Sequence, residues 1–181
     1  MVDLLTVGLS RQSADRLAAL FDTHYDRLYR LARRLVPTAD AARDLVQETF
    51  FRIARAPSSV PTDPAGEEAW LVRVLINLRR DDWRKMVVRK HHQDEVRHST
   101  PVRTDHEAAF VARATVWHAL DRLTPRRRAV LVMYELEGLT IPAIASLLGV
   151  SAITVRWHLS KGRSELSRVL RSHGGESHGK C

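Results

Sequence analysis

The chain has 181 residues, of which 44% are hydrophobic, a composition typical of a globular protein with one or two domains. Lysine and arginine number 29 against 21 acidic residues, and the net charge of +8 favours an anionic partner, either nucleic acid or a membrane surface. A single cysteine, Cys181, excludes an internal disulfide, and the absence of both a signal-peptide pattern and an apolar run of roughly 20 residues predicts a cytoplasmic protein without membrane insertion.

The first predicted element is a long amphipathic helix that begins near Ser13, a residue suited to capping, and ends before Pro37. His24 lies on its apolar face, where a packed histidine is the ordinary case, so we assign it no chemistry. The apolar positions recur at helical spacing: Leu17, Leu20, Phe21, Leu28, Leu31 and Leu35.

A second helix is predicted to start at the cap Thr38, with Asp40 favourably placed in its first turn. Its inward residues are Ala42, Leu45, Val46, Thr49, Phe50 and Ile53. Asp44, Gln47 and Glu48 therefore lie on other sides, either as a docking face for a basic partner or as a solvated surface.

Residues 56–66 contain three prolines and are predicted to form a loop before a helix from Glu67 to about Met86. The buried side of that helix comprises Trp70, Leu71, Val74, Leu75 and Leu78. Another face carries Arg73, Asn77, Arg80 and Arg84, which we call the basic stripe. This stripe could follow a phosphate backbone while Trp83 stacks on unpaired bases, or it is a solvated surface.

Residues 87–104 lose periodicity and are rich in basic side chains, which indicates a linker. His91, His92 and His98 lie there without cysteines or a structured frame, so we expect no metal site and no cofactor.

After the linker, a helix is predicted from Asp105 to Leu123, and Thr124 and Pro125 begin the next one. The apolar face of the first is Ala109, Ala112, Val116, Ala119, Leu120 and Leu123, and that of the second is Val130, Leu131 and Tyr134. Three arginines, 126–128, oppose the helix dipole, so phosphate contact explains them better than stability.

The segment 136–156 has the pattern of a helix-turn-helix. Thr140 can cap its first helix, Pro142 fits the first turn, Gly149 suits the tight turn and Ser151 can cap the second helix. The second helix packs through a stripe of Val155, Leu159, Gly162, Leu166 and Val169. Its predicted outer side, which either reads DNA or is merely solvated, carries Thr154, Arg156, Trp157, His158, Lys161 and Arg163.

No strand-like alternation is present, so the fold class is predicted to be all-α, with two small helical domains joined by a flexible linker. The predicted boundaries are 13–86 for the N-terminal domain, 87–104 for the linker and 105–171 for the C-terminal domain. Residues 172–181 are predicted to be a disordered tail.

Two separate sets of motifs resemble one family over 13–170. LTPRRR at 123–128, EGLT at 137–140, LGVS at 148–151 and TVR at 154–156 resemble region 4 of bacterial sigma-70 factors. DLVQETF at 44–50 and WLVRVLINL at 70–78 resemble region 2. Their order and spacing are similar to the small extracytoplasmic-function (ECF) subgroup, which consists of these two domains.

The resemblance implies a non-enzymatic sigma factor that binds core RNA polymerase and recognises the −10 and −35 promoter elements. It implies core contacts for Asp44, Gln47 and Glu48, and an anti-sigma protein is a further family expectation. The implied −10 contacts are Arg73, Asn77, Arg80, Trp83 and Arg84. The implied −35 contacts are Arg126, Ser151, Thr154, Arg156, Trp157, His158 and Lys161.

The chain departs from the family pattern at Trp157, where a small polar residue is usual, at His158, where an arginine is usual, and at Ala143, which replaces a frequent acid. We therefore expect Trp157 to pack on the DNA backbone or on a thymine methyl instead of hydrogen-bonding a base edge, and the preferred upstream sequence stays open.

Two other classes of function fit the chain less well. A stand-alone helix-turn-helix regulator would need a dimer interface or sensor domain and would leave the acidic face at Asp44 and Glu48 unexplained. An enzyme using these acids and His24 would lack a phosphate loop, a nucleophile elbow and metal-ligand spacing.

Overall fold

The computed structural model describes residues 10–93, 116–117 and 119–174. Across these ranges the chain is helical without strands, which confirms the predicted all-α class. The helices are α1 (Arg11–Leu35), α2 (Ala39–Arg55), α3 (Pro64–Gln93), α4 (Pro125–Leu131), α5 (Ile141–Leu148) and α6 (Ala152–Gly174). A short 3-10 helix, Pro57–Ser59, precedes α3, and a π-helical turn, Val132–Leu136, follows α4.

Helices α1, α2 and α3 form an N-terminal bundle around an aliphatic core. The fully buried side chains include Leu28, Leu31, Leu35, Val46, Ile53, Leu71 and Leu75, each at most 1% exposed. Burial of each such side chain contributes about 1.5–3 kcal/mol, so this core provides most of the free energy that holds the three helices together. The inward residues predicted for α2 are all buried.

The caps of the first two helices show where local sequence was decisive. Thr38 caps α2 as predicted, because its hydroxyl accepts a hydrogen bond from the Ala41 N–H at 3.1 Å. The prediction of Ser13 as the cap of α1 is wrong. The helix begins earlier, and the hydroxyl of Ser10 accepts from the Ser13 N–H at 3.2 Å. Ser10 has the extended backbone that a cap requires, whereas Ser13 is already inside the helix.

Helix α3 is longer at both ends than the sequence indicated. It begins at Pro64 rather than Glu67, with the Asp63 carboxylate accepting a hydrogen bond from the Gly66 N–H at 2.6 Å. A proline in the first helical position loses no hydrogen bond, so the third proline starts the helix instead of extending the loop. The helix then continues past Met86 to Gln93, where residues 86–89 are exposed and no buried face creates a periodic signal.

Helices α4 to α6 enclose a second group of buried side chains, which includes Leu123, Val130, Met133, Ile144, Leu148, Val155 and Leu159. Val116, predicted to face this core, is 43% exposed. Gly162 is buried against Leu131, whose Cδ1 would lie 2.8 Å from an added Cβ. Helix α6 extends through Gly174, beyond the predicted start of the tail. The predictions for 94–115 and 175–181 fall outside the described residues.

The two helical groups pack against each other, because α4 and α5 both contact α3. The sequence predicted two tethered domains but not how they are oriented relative to each other. Within the described ranges, no single helix is long and apolar enough to cross a membrane. Only α5 and α6 taken together meet that criterion, and they are bent by 105°.

Candidate nucleic-acid and partner interfaces

The turn between α5 and α6 is fixed by local hydrogen bonds. The hydroxyl of Thr140 accepts from the Ala143 N–H at 3.3 Å and begins α5. Gly149 ends it with φ of +63°, in the left-handed region where a side chain would be strained. The Ser151 hydroxyl then accepts from the Thr154 N–H at 3.1 Å and begins α6. These bonds confirm the predicted helix-turn-helix.

Helix α6 has one buried face and one exposed face. Val155 and Leu159 are 0% and 5% exposed and pack into the C-terminal core. On the opposite side lie Ile153 and Trp157, which are 75% and 49% exposed. Ile153 was missed by the sequence analysis, although its position one turn before Trp157 was sufficient to place both on the same face.

Trp157 is held in place by charged neighbours. The guanidinium carbon of Arg127 lies 5.2 Å from the centre of the Trp157 ring, a cation–π distance. Arg127 is itself paired with Glu165, at 2.5 Å between Nη1 and Oε1. The ring of His158 meets Trp157 edge-on at 4.9 Å. The indole is therefore supported on the recognition helix before any ligand arrives.

His158 does not lie on the outer face as predicted. It is partly buried, and its Nδ1 is a buried atom with no hydrogen-bond partner among the described residues. Burial lowers the pKa of His158, and the positive charges of Arg126 and Arg127 lower it further. The lowered pKa favours the neutral imidazole, which packs against Trp157 instead of presenting a charge to DNA.

The three arginines at the start of α4 do not act as one phosphate-binding group. Arg128 is only 2% exposed, and its Nε donates to the Arg34 carbonyl at 2.9 Å while Nη1 donates to Asp121. Its guanidinium also lies 4.6 Å from the ring of Trp117. The expectation of phosphate contact is thus wrong for Arg128, whose charge is used inside the fold. Arg126 is partly exposed, with a buried Nε that has no partner in the described structure.

An acidic groove lies between α2 and the C-terminal half of α3. Asp44 and Glu48 are exposed along one wall, and Asp81 and Asp82 lie on the other. Three cations also line the groove, Arg52, Arg79 and Lys85, of which Arg52 lies 3.6 Å from Glu48 and Lys85 lies 3.9 Å from Asp82. The apolar lining of the groove includes Leu45, Leu78, Met86 and Val87, and its volume is about 780 Å³. Gln47 is exposed on α2, the helix that also carries Asp44 and Glu48. The sequence predicted the acidic residues of α2, but not the groove that separates them from the acids on α3.

The basic stripe on α3 is partly covered by the C-terminal group. Arg73 is half-buried, and its Nη1 lies 2.8 Å from where a Cβ on Gly149 would be. Arg80 is also half-buried, and its Nε lies 3.7 Å from Asp81. Asn77 and Trp83 are partly exposed and Arg84 is exposed. Of the four residues in the stripe, only Arg84 at its C-terminal end is exposed rather than partly buried.

An ion cluster closes the contact between the two helical groups. The Glu137 side chain, 9% exposed, lies 2.7 Å from Arg27 Nη1 and 3.6 Å from Arg34 Nη1. Arg27 also pairs with Glu68 at 3.0 Å. Burial alone would lower the pKa of Arg27, but the hydrogen bonds and charges of Glu137 and Glu68 raise it overall. The pairs with Glu137 join α1 to the residue that follows the π-helical turn, and the pair with Glu68 joins α1 to α3.

Comparison with protein families gives two matches in the order that the motifs indicated. Residues 20–87 match sigma-70 region 2, and residues 113–166 match sigma-70 region 4. The chain is also 31% identical over 160 residues to the ECF RNA polymerase sigma factor SigM of Mycobacterium tuberculosis, covering 87% of this chain and 80% of SigM. The chain belongs to the ECF sigma factors of the sigma-70 family.

Two further relatives define the extent of the likeness. SigE of Mycolicibacterium smegmatis, an ECF RNA polymerase sigma factor, is 32% identical over 169 residues, which cover 85% of this chain and 61% of that protein. CnrH, solved with the cytosolic domain of CnrY, has a TM-score of 0.57 at 25% identity, covering 93% of this chain and 95% of CnrH.

The fold is also similar to that of RpoE from Bartonella quintana, solved with the anti-sigma factor NepR, with a TM-score of 0.57 at 20% identity. That match covers 90% of this chain and 98% of RpoE. In the ECF sigma factor described here, region 2 therefore corresponds to α1–α3, and region 4 includes the helix-turn-helix of α5 and α6.

Proposed function

We propose that this ECF sigma factor binds core RNA polymerase in the cytoplasm and directs it to promoters through their −10 and −35 elements. The observation that carries the proposal is that both sigma-70 regions are present on one chain, each with the expected fold. The chain supplies recognition and no chemical step, since bond formation belongs to the polymerase.

The acidic groove is the proposed polymerase contact. Asp44, Gln47 and Glu48 are exposed on α2, and they occupy the motif that docks on the polymerase clamp helices in the family. The groove lining has five carboxylates and three cations, and this negative excess favours a basic partner, while its apolar side chains offer surface that a partner helix can bury.

The basic stripe is the proposed contact for the −10 element. Arg84, Asn77 and Trp83 are open to solvent to different degrees, and a cation beside an aromatic ring suits an unpaired strand. Arg80 and Arg73 extend this surface toward region 4. The Arg73 guanidinium lies against the Gly149 turn, which restricts its approach to DNA.

The outer side of α6 is the proposed contact for the −35 element, together with the start of α4. The hydroxyls of Ser151 and Thr154 and the side chains of Arg156, Trp157 and Lys161 surround the end of α6 that recognition helices insert into the major groove. Arg126 is the remaining candidate from the arginine triplet. His158 is left out because it packs behind Trp157.

The proposal is tested by transcription from promoters of the source genome, with sigma-free core polymerase and the purified full chain. We expect promoter-dependent RNA only when both are present. Specific binding to duplex promoter DNA without polymerase, together with no transcription, would instead favour a stand-alone regulator.

An anti-sigma protein is a third candidate partner. RpoE was solved with the anti-sigma factor NepR, and CnrH was solved with the cytosolic domain of CnrY. Both relatives share the fold of this chain, which supports a protein partner of this kind in addition to polymerase and promoter DNA.

Removing cations from α6 should reduce the salt dependence of promoter binding. The slope of log affinity against log salt falls by about one unit for each phosphate that is no longer neutralised, because fewer counterions are released on binding. For Arg156→Ala with Lys161→Ala we therefore expect a slope smaller by about one to two units in holoenzyme titrations between low and moderate salt. The exposed Arg171, far from the turn, provides the matched control, and an unchanged slope in the double variant would refute the assignment.

A further inference from the structure

We propose that Ile153 and Trp157 read thymine methyl groups in the −35 element. This inference deepens the proposed function, because it assumes that α6 enters the major groove. It names a specificity rule that follows from the two side chains at the centre of the exposed face.

The arrangement of side chains around α6 supports direct apolar readout. Ile153 and Trp157 lie one turn apart and opposite the buried Val155, so they point away from the C-terminal core. Polar and charged residues flank them. Arg156 lies on one side, where it borders a shallow groove with Tyr134 and Ile141, and Lys161 lies on the other.

This arrangement predicts different roles for the flanking and the central side chains in the major groove. Long cationic side chains at the flanks can reach the phosphates on either side, whereas the central positions meet base edges. A charged or amide side chain at the centre would seek hydrogen-bonding bases. An isoleucine and an indole present mainly apolar surface, and the C5 methyl of thymine is the apolar group on the base edges of the major groove.

The contacts that hold Trp157 in place favour a role in base recognition over that of a mobile surface residue. Arg127 lies against the ring at 5.2 Å and is anchored by Glu165, and His158 contacts the ring edge. Because the indole is braced in this way, ordering it against DNA costs less rotamer entropy. The flanking positive charges favour DNA over an apolar protein partner as the occupant of this surface.

The experiment first selects duplexes from a random library with the full chain bound to core polymerase. We expect an enriched upstream element that contains thymines. Each of these thymines is then replaced by deoxyuridine, which removes the methyl and leaves every hydrogen-bonding group in place. Removing one methyl that the protein touches should weaken binding about fourfold for the native chain.

Each single variant, Ile153→Ala or Trp157→Ala, should lose the deoxyuridine penalty at the thymine that its side chain touches, and the double variant should bind thymine and deoxyuridine duplexes equally, with the native salt slope kept throughout. Leu136→Ala serves as the matched control, since Leu136 is a 59% exposed apolar residue outside α6. It should retain the full deoxyuridine penalty. Circular dichroism of each variant checks that the helices persist.

The outcomes separate this inference from the proposed function. An enriched element that lacks thymines, or one insensitive to deoxyuridine, overturns the inference and leaves the sigma function intact. If Trp157→Ala weakens capture of an anti-sigma protein and has no effect on DNA binding, the pair is a protein-docking surface and the inference is likewise wrong. Failure to enrich any duplex, together with no transcription, refutes the proposed function itself.

Discussion

Replacing Asp44 and Glu48 together by lysine should reduce the affinity for core polymerase at least 100-fold. The substitution changes the charge of one wall of the acidic groove by four units and places cations against a partner expected to be basic. Like charges brought together at an interface cost several kcal/mol, and every 1.4 kcal/mol is a tenfold change in affinity. Fluorescence anisotropy of labelled protein titrated with core polymerase measures the effect.

The matched control for this charge change is Asp22→Lys with Asp26→Lys. These two acids are also exposed and one turn apart, but they lie on α1 outside the groove. We expect the control to bind core polymerase within a few-fold of the native chain. Equal binding by both double variants would show that the groove is not the docking site.

Replacing Arg128 by alanine should lower the free energy of unfolding by about 2–3 kcal/mol, the second large effect. The change removes the hydrogen bond to the Arg34 carbonyl, the ion pair with Asp121 and the packing on Trp117. The Asp121 side chain is 41% exposed and can be solvated again, which limits the destabilisation. For a chain of this length, each kcal/mol shifts the melting temperature by roughly 2–4 °C.

Arg168→Ala tests whether this destabilisation is specific to the buried position. Arg168 is an exposed arginine on α6, and surface changes of this kind usually alter stability by less than about 0.5 kcal/mol. Thermal denaturation followed by circular dichroism should separate the two variants clearly. Coincident melting curves would mean that the buried guanidinium contributes nothing to the fold.

Most of the fold could be predicted from local sequence signals. Thr38 and Thr140 could be identified as caps because a cap is defined by hydrogen bonds within a few residues. Gly149 was equally predictable, since a tight turn between two helices requires a left-handed residue. The exposed acids of α2 also followed from periodicity alone. The family motifs then suggested functions for these surfaces that periodicity could not supply.

The errors arose where distant segments determine a residue's environment. Three consecutive arginines look equivalent in sequence, yet Arg128 is buried because the Arg34 carbonyl and Asp121 provide partners from elsewhere in the chain. His158 was expected to be outward, but it is partly buried, close enough to Arg126 and Arg127 at the start of α4 for their charges to lower its pKa. The covered state of Arg73 depends on how region 4 docks on region 2, and no local pattern encodes that docking.

The position of Arg73 beneath the Gly149 turn has an energetic consequence for promoter search. If Arg73 contacts the −10 element as proposed, the Gly149 turn competes with DNA for its guanidinium, so molecules in which the two regions have separated present more of the proposed −10 surface. The apparent dissociation constant then equals the intrinsic one divided by the fraction of separated molecules. Any ligand that holds the regions apart, polymerase included, would raise that fraction and thereby tighten promoter binding without adding a single contact to DNA.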